Sequence, residues 1–247
     1  MTDVDGAAAT RAADEIGGST WAGELDVTDA EACRTAAAAA SERDGGLAVW
    51  VNNAGILLPG AVHEQDSAAH RTMLEVNTLG TFNGTLAALE LMRTAGSGHV
   101  INIISLAGLV AAPGEVAYSA SKHAAMAFTL GTLYDLRRSG VTGINISAVC
   151  PDGVWSPMID GKLDDPHAAA SFSGTMLMPE QVAERVVGLL DRPRALVTIP
   201  RWRGALIRVF DAFPSVMTRL LPFMLKDAQR RQRRFKREVE AGRWPPG

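Results

Sequence analysis

The sequence predicts an α/β fold built on a doubly wound parallel sheet, and three observations carry that expectation. Short apolar runs bounded by turn residues alternate with long helical patterns, the mark of βαβ units. One of them, Leu47–Val51, is an apolar run between turn signals, as in a strand covered on both faces. At 247 residues and 47% hydrophobic the chain can also enclose one large core, which excludes disordered, collagen-like and Cys-stapled classes.

In chain order, Asp3-Val4-Asp5-Gly6 precedes a helical stretch at about Ala7–Ile16, and a weak strand follows at Thr20–Leu25. Thr28-Asp29-Ala30-Glu31 reads as a capping box opening an Ala-rich helix that runs to about Arg43 and ends at Gly45-Gly46. Leu47–Val51 is a strand expected to be buried on both faces. A long helical pattern from about Asp66 to Thr94 leads to a strand at His99–Ile104. A helix from about Glu115 to Arg138, closed by Gly140, leads to a strand at Ile144–Val149, and a last strand is expected at about Ala195–Ile199. Right-handed crossovers place helices on both faces, with ligands at the carboxyl ends of the strands.

Charge divides the chain at residue 200. Residues 1–200 hold 12 Lys and Arg against 23 Asp and Glu, a net of −11; residues 201–247 hold 12 against 4, a net of +8. The expected organisation is a body over 1–200 and a basic, amphipathic extension over 201–247. Cys33 and Cys150 stand far apart, and neither they nor the five histidines show metal-ligand spacing. With no apolar run long enough for a membrane span and no basic-then-apolar leader after Met1, a reducing cytoplasm is the expected compartment.

Small and polar residues collect after the strands. Asp26-Val27, Asn52-Asn53-Ala54-Gly55, Ser105 and Pro151-Asp152-Gly153 each follow one. Tyr118 and Lys122 are four apart on a helix, so phenol and ammonium share a face one turn apart. A cation within roughly 4–6 Å favours phenolate, so Tyr118 is expected to move a proton near neutral pH. The chain has only two tyrosines, which gives this spacing weight.

Together, Tyr118-Ser-Ala-Ser-Lys122, Ser105 thirteen positions earlier, Asn77 and Asn52-Asn53-Ala54-Gly55 resemble the short-chain dehydrogenase/reductase family, in order and spacing from Asp3 to about Met158. The resemblance implies a Rossmann-like fold and an NAD(P)-dependent oxidoreductase that interconverts an alcohol and a ketone or aldehyde. It casts Tyr118 as general acid/base, Ser105 as the residue orienting the substrate oxygen, and Lys122 as the holder of the nicotinamide ribose. Asn77 is cast as the residue that kinks its helix and supports a relay water. It assigns Asn53, Ala54 and Gly55 to the cofactor's side, Asp26 and Val27 to its adenine edge, and Pro151, Val154 and Ser156 to the nicotinamide carboxamide. Asp152 stands where the family usually has Gly, and Ser156 where it has Thr. The resemblance further implies a homodimer or homotetramer through the long helices around Asn77 and Tyr118.

A dinucleotide fold uses a Gly-rich turn to bring backbone and a helix N-terminus to the pyrophosphate. None of the 24 glycines forms that pattern. The ribose-gripping acid normally follows the motif by roughly 20 residues, and its best candidate is Asp3, so the motif is expected to fall before Met1. A carboxylate at Asp3, followed by Val4, disfavours a 2′-phosphate and points to NAD over NADP. The alternative is a non-catalytic binding or interaction protein on the same scaffold, or an inactive fragment unable to hold the dinucleotide.

Residues 152–178 occupy the substrate-loop position and include Trp155, Met158, Phe172, Met176, Leu177 and Met178, suited to a small hydrophobic alcohol or carbonyl compound. Beyond residue 200, Trp202, Phe210, Phe213 and Phe223 interleave with arginines, and Lys226–Arg237 is densely basic. That pattern is open to a solvated helical tail, a subunit contact or peripheral membrane contact. No nucleic-acid motif accompanies the charge, so nucleic acid is not an expected partner.

Overall fold

The computed structural model describes residues 1–244. Six strands, β1 (Thr2–Asp3), β2 (Gly23–Glu24), β3 (Val49–Asn52), β4 (Gly98–Ile103), β5 (Ile144–Pro151) and β6 (Leu196–Ile199), alternate with helices. β3-β4-β5-β6 form one parallel sheet in that order, and β1-β2 form a separate parallel pair.

The central strands β4 and β5 are covered on both faces, with successive residues pointing to opposite sides. On one side Val100, Ile144 and Ile146 pack against Ala88 and Met92 of α4 (Gly80–Ala95) and Leu133 and Leu136 of α5 (Val116–Arg138). On the other, Ile101, Val149 and Ile199 meet Leu189 of α7 (Pro179–Asp191). Truncating one of the fully buried isoleucines to Ala would cost about 2–5 kcal/mol.

Three expectations are corrected. β3 is not buried on both faces: Val49 and Val51 are 37% and 44% exposed, because α4 packs only on the face that carries Trp50. The strand expected at Thr20–Leu25 shrinks to the two residues of β2. The N-cap of α2 (Ala30–Asp44) is Asp29, which accepts from Glu31 N and Ala32 N; Thr28 instead donates its hydroxyl to Asp26. α1 (Gly6–Ile16) and α5 lie within a residue of expectation. The long helix over 66–94 is continuous but not uniform, since α3 (Ser67–Leu74) passes through one π-helical turn, Glu75–Leu79, into α4.

After β5 come the one-turn α6 (Pro157–Asp160) and a 3₁₀ segment, Pro166–Phe172. After β6 come α8 (Arg201–Asp211) and the 27-residue α9 (Pro214–Glu240). α9 turns back over 166–172: Phe235 meets Trp155, Phe172 and Trp244, and buried Gln232 donates to the carbonyls of Lys162 (3.0 Å) and Asp165 (2.8 Å). No helix among the described residues is long and apolar enough to cross a membrane.

Candidate active site

The carboxyl ends of β1, β3, β4 and β5 open onto one cavity of about 880 Å³. Its floor is fixed by a buried polar network. Asn52 Nδ2 donates to Asn102 Oδ1 (2.8 Å) and Thr85 Oγ1 (3.1 Å), its Oδ1 accepts from Trp50 Nε1 (2.8 Å), and Asn102 Nδ2 donates to Thr129 Oγ1 (2.9 Å). These bonds tie β3 and β4 to α4 and α5, since a buried amide left unpaired would cost about 1–3 kcal/mol. Asn102 and Thr129 carry no motif that would have marked them in the sequence.

The next step of the chain, Asn53-Ala54-Gly55, lines the cavity. Asn77, fully buried in the π-helical turn, holds it there: Asn77 Oδ1 accepts from Ile56 N (2.8 Å), and Nδ2 donates to Ile56 O (2.9 Å) and Ser121 Oγ (3.0 Å). The extra residue of a π turn turns Asn77 inward, so one amide joins β3's end to α5. Gly55 fits between partners, because a Cβ there would stand 3.2 Å from Asn77 Oδ1 and 3.3 Å from Lys122 Nζ.

Tyr118 and Lys122 project from α5 into the cavity wall, and Ser105 follows β4, its Oγ accepting from Ala107 N (3.1 Å). Lys122 is 4% exposed and donates Nζ to Ile103 O (3.2 Å), with Nζ 5.8 Å from the Tyr118 ring centroid. Burial pushes Lys122 down to about 8. Burial also pushes the Tyr118 phenol up to about 12, and the Ser105 hydroxyl, which pulls the other way, does not overcome it. The expectation that the lysine lowers this phenol is therefore not met in the bare chain. Each charged form loses its water, and the ammonium spends a hydrogen bond on a carbonyl. What stands ready at neutral pH is a proton donor.

Among the other expected residues, Asp3, Pro151, Val154 and Ser156 line the cavity. Ser156 Oγ donates to Val154 O (3.2 Å). Asp3 Oδ1 accepts from Asp5 N (2.9 Å). Asp26 and Val27 do not line it. Asp26 accepts from Thr28 N and Oγ1, which holds its carboxyl below the usual range, and Val27 O accepts from Asn83 Nδ2.

The rest of the lining is mostly apolar, and part of it comes from beyond residue 200. Ile207, Phe210, Met217, Leu221, Met224 and Leu225 of α8 and α9 all line the cavity. Two polar contacts position it. Asp152 is buried, with Oδ2 accepting from Thr175 N (2.9 Å) and lying 3.3 Å from Arg203 Nε, while Arg203 Nη2 donates to Ser173 Oγ (2.8 Å). Gly174 makes room for this, since a Cβ there would overlap the Asp152 carboxylate. Glu115, at the start of α5, accepts through Oε1 from Ser171 N (3.1 Å) and Oγ (2.7 Å) and is pushed up by burial to about 7. Sequence reasoning marked Asp152 only as a departure and missed Arg203 and Glu115. Their long-range partners, Asp152 and Ser171, are set by the fold.

Lys122, Tyr118 and Gly55, with Lys122 Nζ close to Gly55, are the polar part of the lining that could hold the ribose of a nicotinamide dinucleotide, and Pro151, Val154 and Ser156 line the same cavity.

The sequence profile described as short chain dehydrogenase matches residues 1–166. The chain is 36% identical over 207 residues to the inactive 2-(S)-hydroxypropyl-CoM dehydrogenase 2 of Xanthobacter autotrophicus, covering 80% of this chain and 89% of that one. It is 33% identical over 182 residues to a cyclopentanol dehydrogenase of Comamonas sp., covering 72% and 67%. A short chain dehydrogenase/reductase from Burkholderia phymatum, solved in complex with NAD, superposes with a TM-score of 0.77 at 25% identity, over 87% of this chain and 84% of that one. Sequence, sheet and site together make this chain an oxidoreductase of the short-chain dehydrogenase family.

Proposed function

We propose that the cavity interconverts a hydrophobic secondary alcohol and its ketone, or a primary alcohol and its aldehyde, with NAD as the preferred dinucleotide. The observation that carries the reading is the convergence of Tyr118, Lys122 and Ser105 in one cavity whose lining is otherwise mostly apolar. A bound nicotinamide supplies or accepts the hydride. Ser105 Oγ orients the substrate oxygen, and Tyr118 Oη donates a proton to it in reduction or takes one from it in oxidation. Lys122 holds the ribose hydroxyls and the charge balance beside Tyr118. Asn77 positions Gly55 and α5. The Asp3 carboxylate at the cavity edge supports NAD over NADP. Exposed Leu79, Leu86 and Tyr134 on the outer faces around α4 and α5 support a homodimer or homotetramer through those helices.

A second reading, a non-catalytic binding protein, is favoured by one observation: no glycine-rich turn in the sequence offers a backbone cradle for the pyrophosphate. NADH and NADPH titration followed by thermal unfolding separates the two, with cyclopentanol and larger alicyclic alcohols as first substrates. Catalysis predicts about 2.7 kcal/mol of added stability at a hundredfold excess over Kd, larger for NADH, and alcohol-dependent NAD reduction. No shift with either dinucleotide and no turnover would leave the binding-protein reading standing.

A further inference from the structure

The inner faces of α8 and α9 line the cavity, but their outer faces are apolar as well. Trp202, Val209, Phe213, Val216, Leu220 and Phe223 are between 41% and 75% exposed. All the exposed large Phe and Trp side chains of the described residues lie in this one stretch. Spacings of three and four put Phe213, Val216, Leu220 and Phe223 on one ridge. Lys226, Arg230, Arg233 and Arg237 follow on the adjoining exposed side of α9, with Arg219 beside the apolar ridge, while Asp227 is paired with Arg231. The exposed surface of this helix is thus apolar in its first half and largely cationic in its second. It suits a bilayer surface, with aromatic rings at the headgroup level and guanidinium groups against lipid phosphates. The net of +8 over residues 201–247 against −11 over the rest sets the orientation, because an anionic surface attracts this end and repels the body.

We propose that the outer ridge of α8 and α9 docks the protein on an anionic phospholipid bilayer. Met224 connects the ridge with the site, since it lines the cavity and is also 37% exposed, so the rim of the cavity lies at the patch. A docked molecule therefore turns the apolar mouth of its cavity toward the membrane, where hydrophobic alcohols and ketones partition. Docking does not depend on the catalytic reading and is measured without turnover.

The test is co-sedimentation of the full chain with vesicles of phosphatidylcholine mixed with phosphatidylglycerol, against vesicles of phosphatidylcholine alone, over a range of salt. The expected result is pelleting with the anionic vesicles that weakens as salt rises. Phe213→Ser combined with Phe223→Ser should weaken binding about tenfold or more, since two aromatic side chains lose their burial in the interface. Arg219→Glu with Lys226→Glu and Arg230→Glu should weaken it at least as much and flatten the salt dependence. All five positions are exposed, and unchanged thermal unfolding of both variants confirms that the fold persists. Absence of pelleting with either vesicle would overturn the proposal. So would a wild-type dimer in sedimentation velocity that Phe213→Ser with Phe223→Ser dissociates, which would make the ridge a contact between copies of this chain.

Discussion

The two walls of the cavity are held by different interactions. On the wall built from Asn52–Gly55, Ser105 and Tyr118–Lys122, position comes from short side-chain hydrogen bonds among buried amides, hydroxyls and carbonyls, with Asn77 alone making three. On the wall built from 152–178, α8 and α9, position comes from aromatic and aliphatic packing, punctuated by a few polar ties such as Asp152–Arg203, Glu115–Ser171 and Gln232 to two carbonyls. Directional bonds fix atoms to fractions of an ångström, as proton transfer needs, whereas apolar packing tolerates substitution of shape. In the proposed mechanism the chemistry belongs to the first wall, and the second is where substrate choice can vary.

The largest effects should come from the polar wall and should fall on rate rather than stability. Tyr118→Phe removes the proton that reduction delivers, and a loss of about 10²–10⁴-fold in turnover is expected. The melting temperature should stay within about 2 °C, because among the described bonds the phenol secures no part of the fold. Lys122, pushed down to about 8 by burial, is charged below that pH and neutral above it. Ketone reduction should therefore hold steady below pH 8 and decline as pH rises through it. A profile flat to pH 10 would show that the ammonium has no part in the step.

The same division explains what could be read from the chain. Tyr118 and Lys122 announce themselves because they stand four apart on one helix, and Ser105 and the Asn-Asn-Ala-Gly step because they follow apolar runs. Asn77, whose partners Ile56 and Ser121 lie 21 and 44 residues away, was marked only by the family pattern. The strand and helix order was legible for the same reason, since βαβ units are local patterns. β3's exposed face was not legible: an apolar run shows the capacity to be buried, and which neighbour buries it is a matter of topology. Nor was the destination of residues 201–240. Their alternation of Arg with Phe and Leu signals two-faced helices, but only the fold shows that the inner face closes the cavity. Glu115 looked like the start of a helix, and nothing at its own position indicates Ser171, fifty-six residues on.

Effects of intermediate size should come from the polar ties of the apolar wall and should fall on stability. Arg203→Met leaves the Asp152 carboxylate buried with Thr175 N but without its cation, and breaking one side of a buried pair costs about 3–5 kcal/mol. Thermal unfolding should drop on the order of 10 °C. Asp152→Asn in the Arg203→Met background should recover much of it, because no buried charge remains to be matched. If the double variant melts no higher than Arg203→Met, the cost lies in lost packing around the guanidinium, and the walls differ less than the comparison holds.

The smallest and most conditional effect belongs to Glu115, the one tie that titrates near neutrality. Burial raises its carboxyl from 4.5 to about 7, so the folded state prefers it protonated. Stability from this group is fully present below about pH 4.5 and is lost as pH rises toward 7, by about 3 kcal/mol at most. Asp165 faces the same group and adds to the upward push, while the two Ser171 donors oppose it and stabilise the carboxylate. Glu115→Gln keeps an acceptor for Ser171 and abolishes the charge. The variant should therefore melt a few degrees above wild type at pH 8 and converge with it at pH 5. A difference that stays constant across that range would mean that Ser171 holds the ionised carboxylate as well as the neutral one, and that this contact is as pH-independent as the amide bonds of the opposite wall.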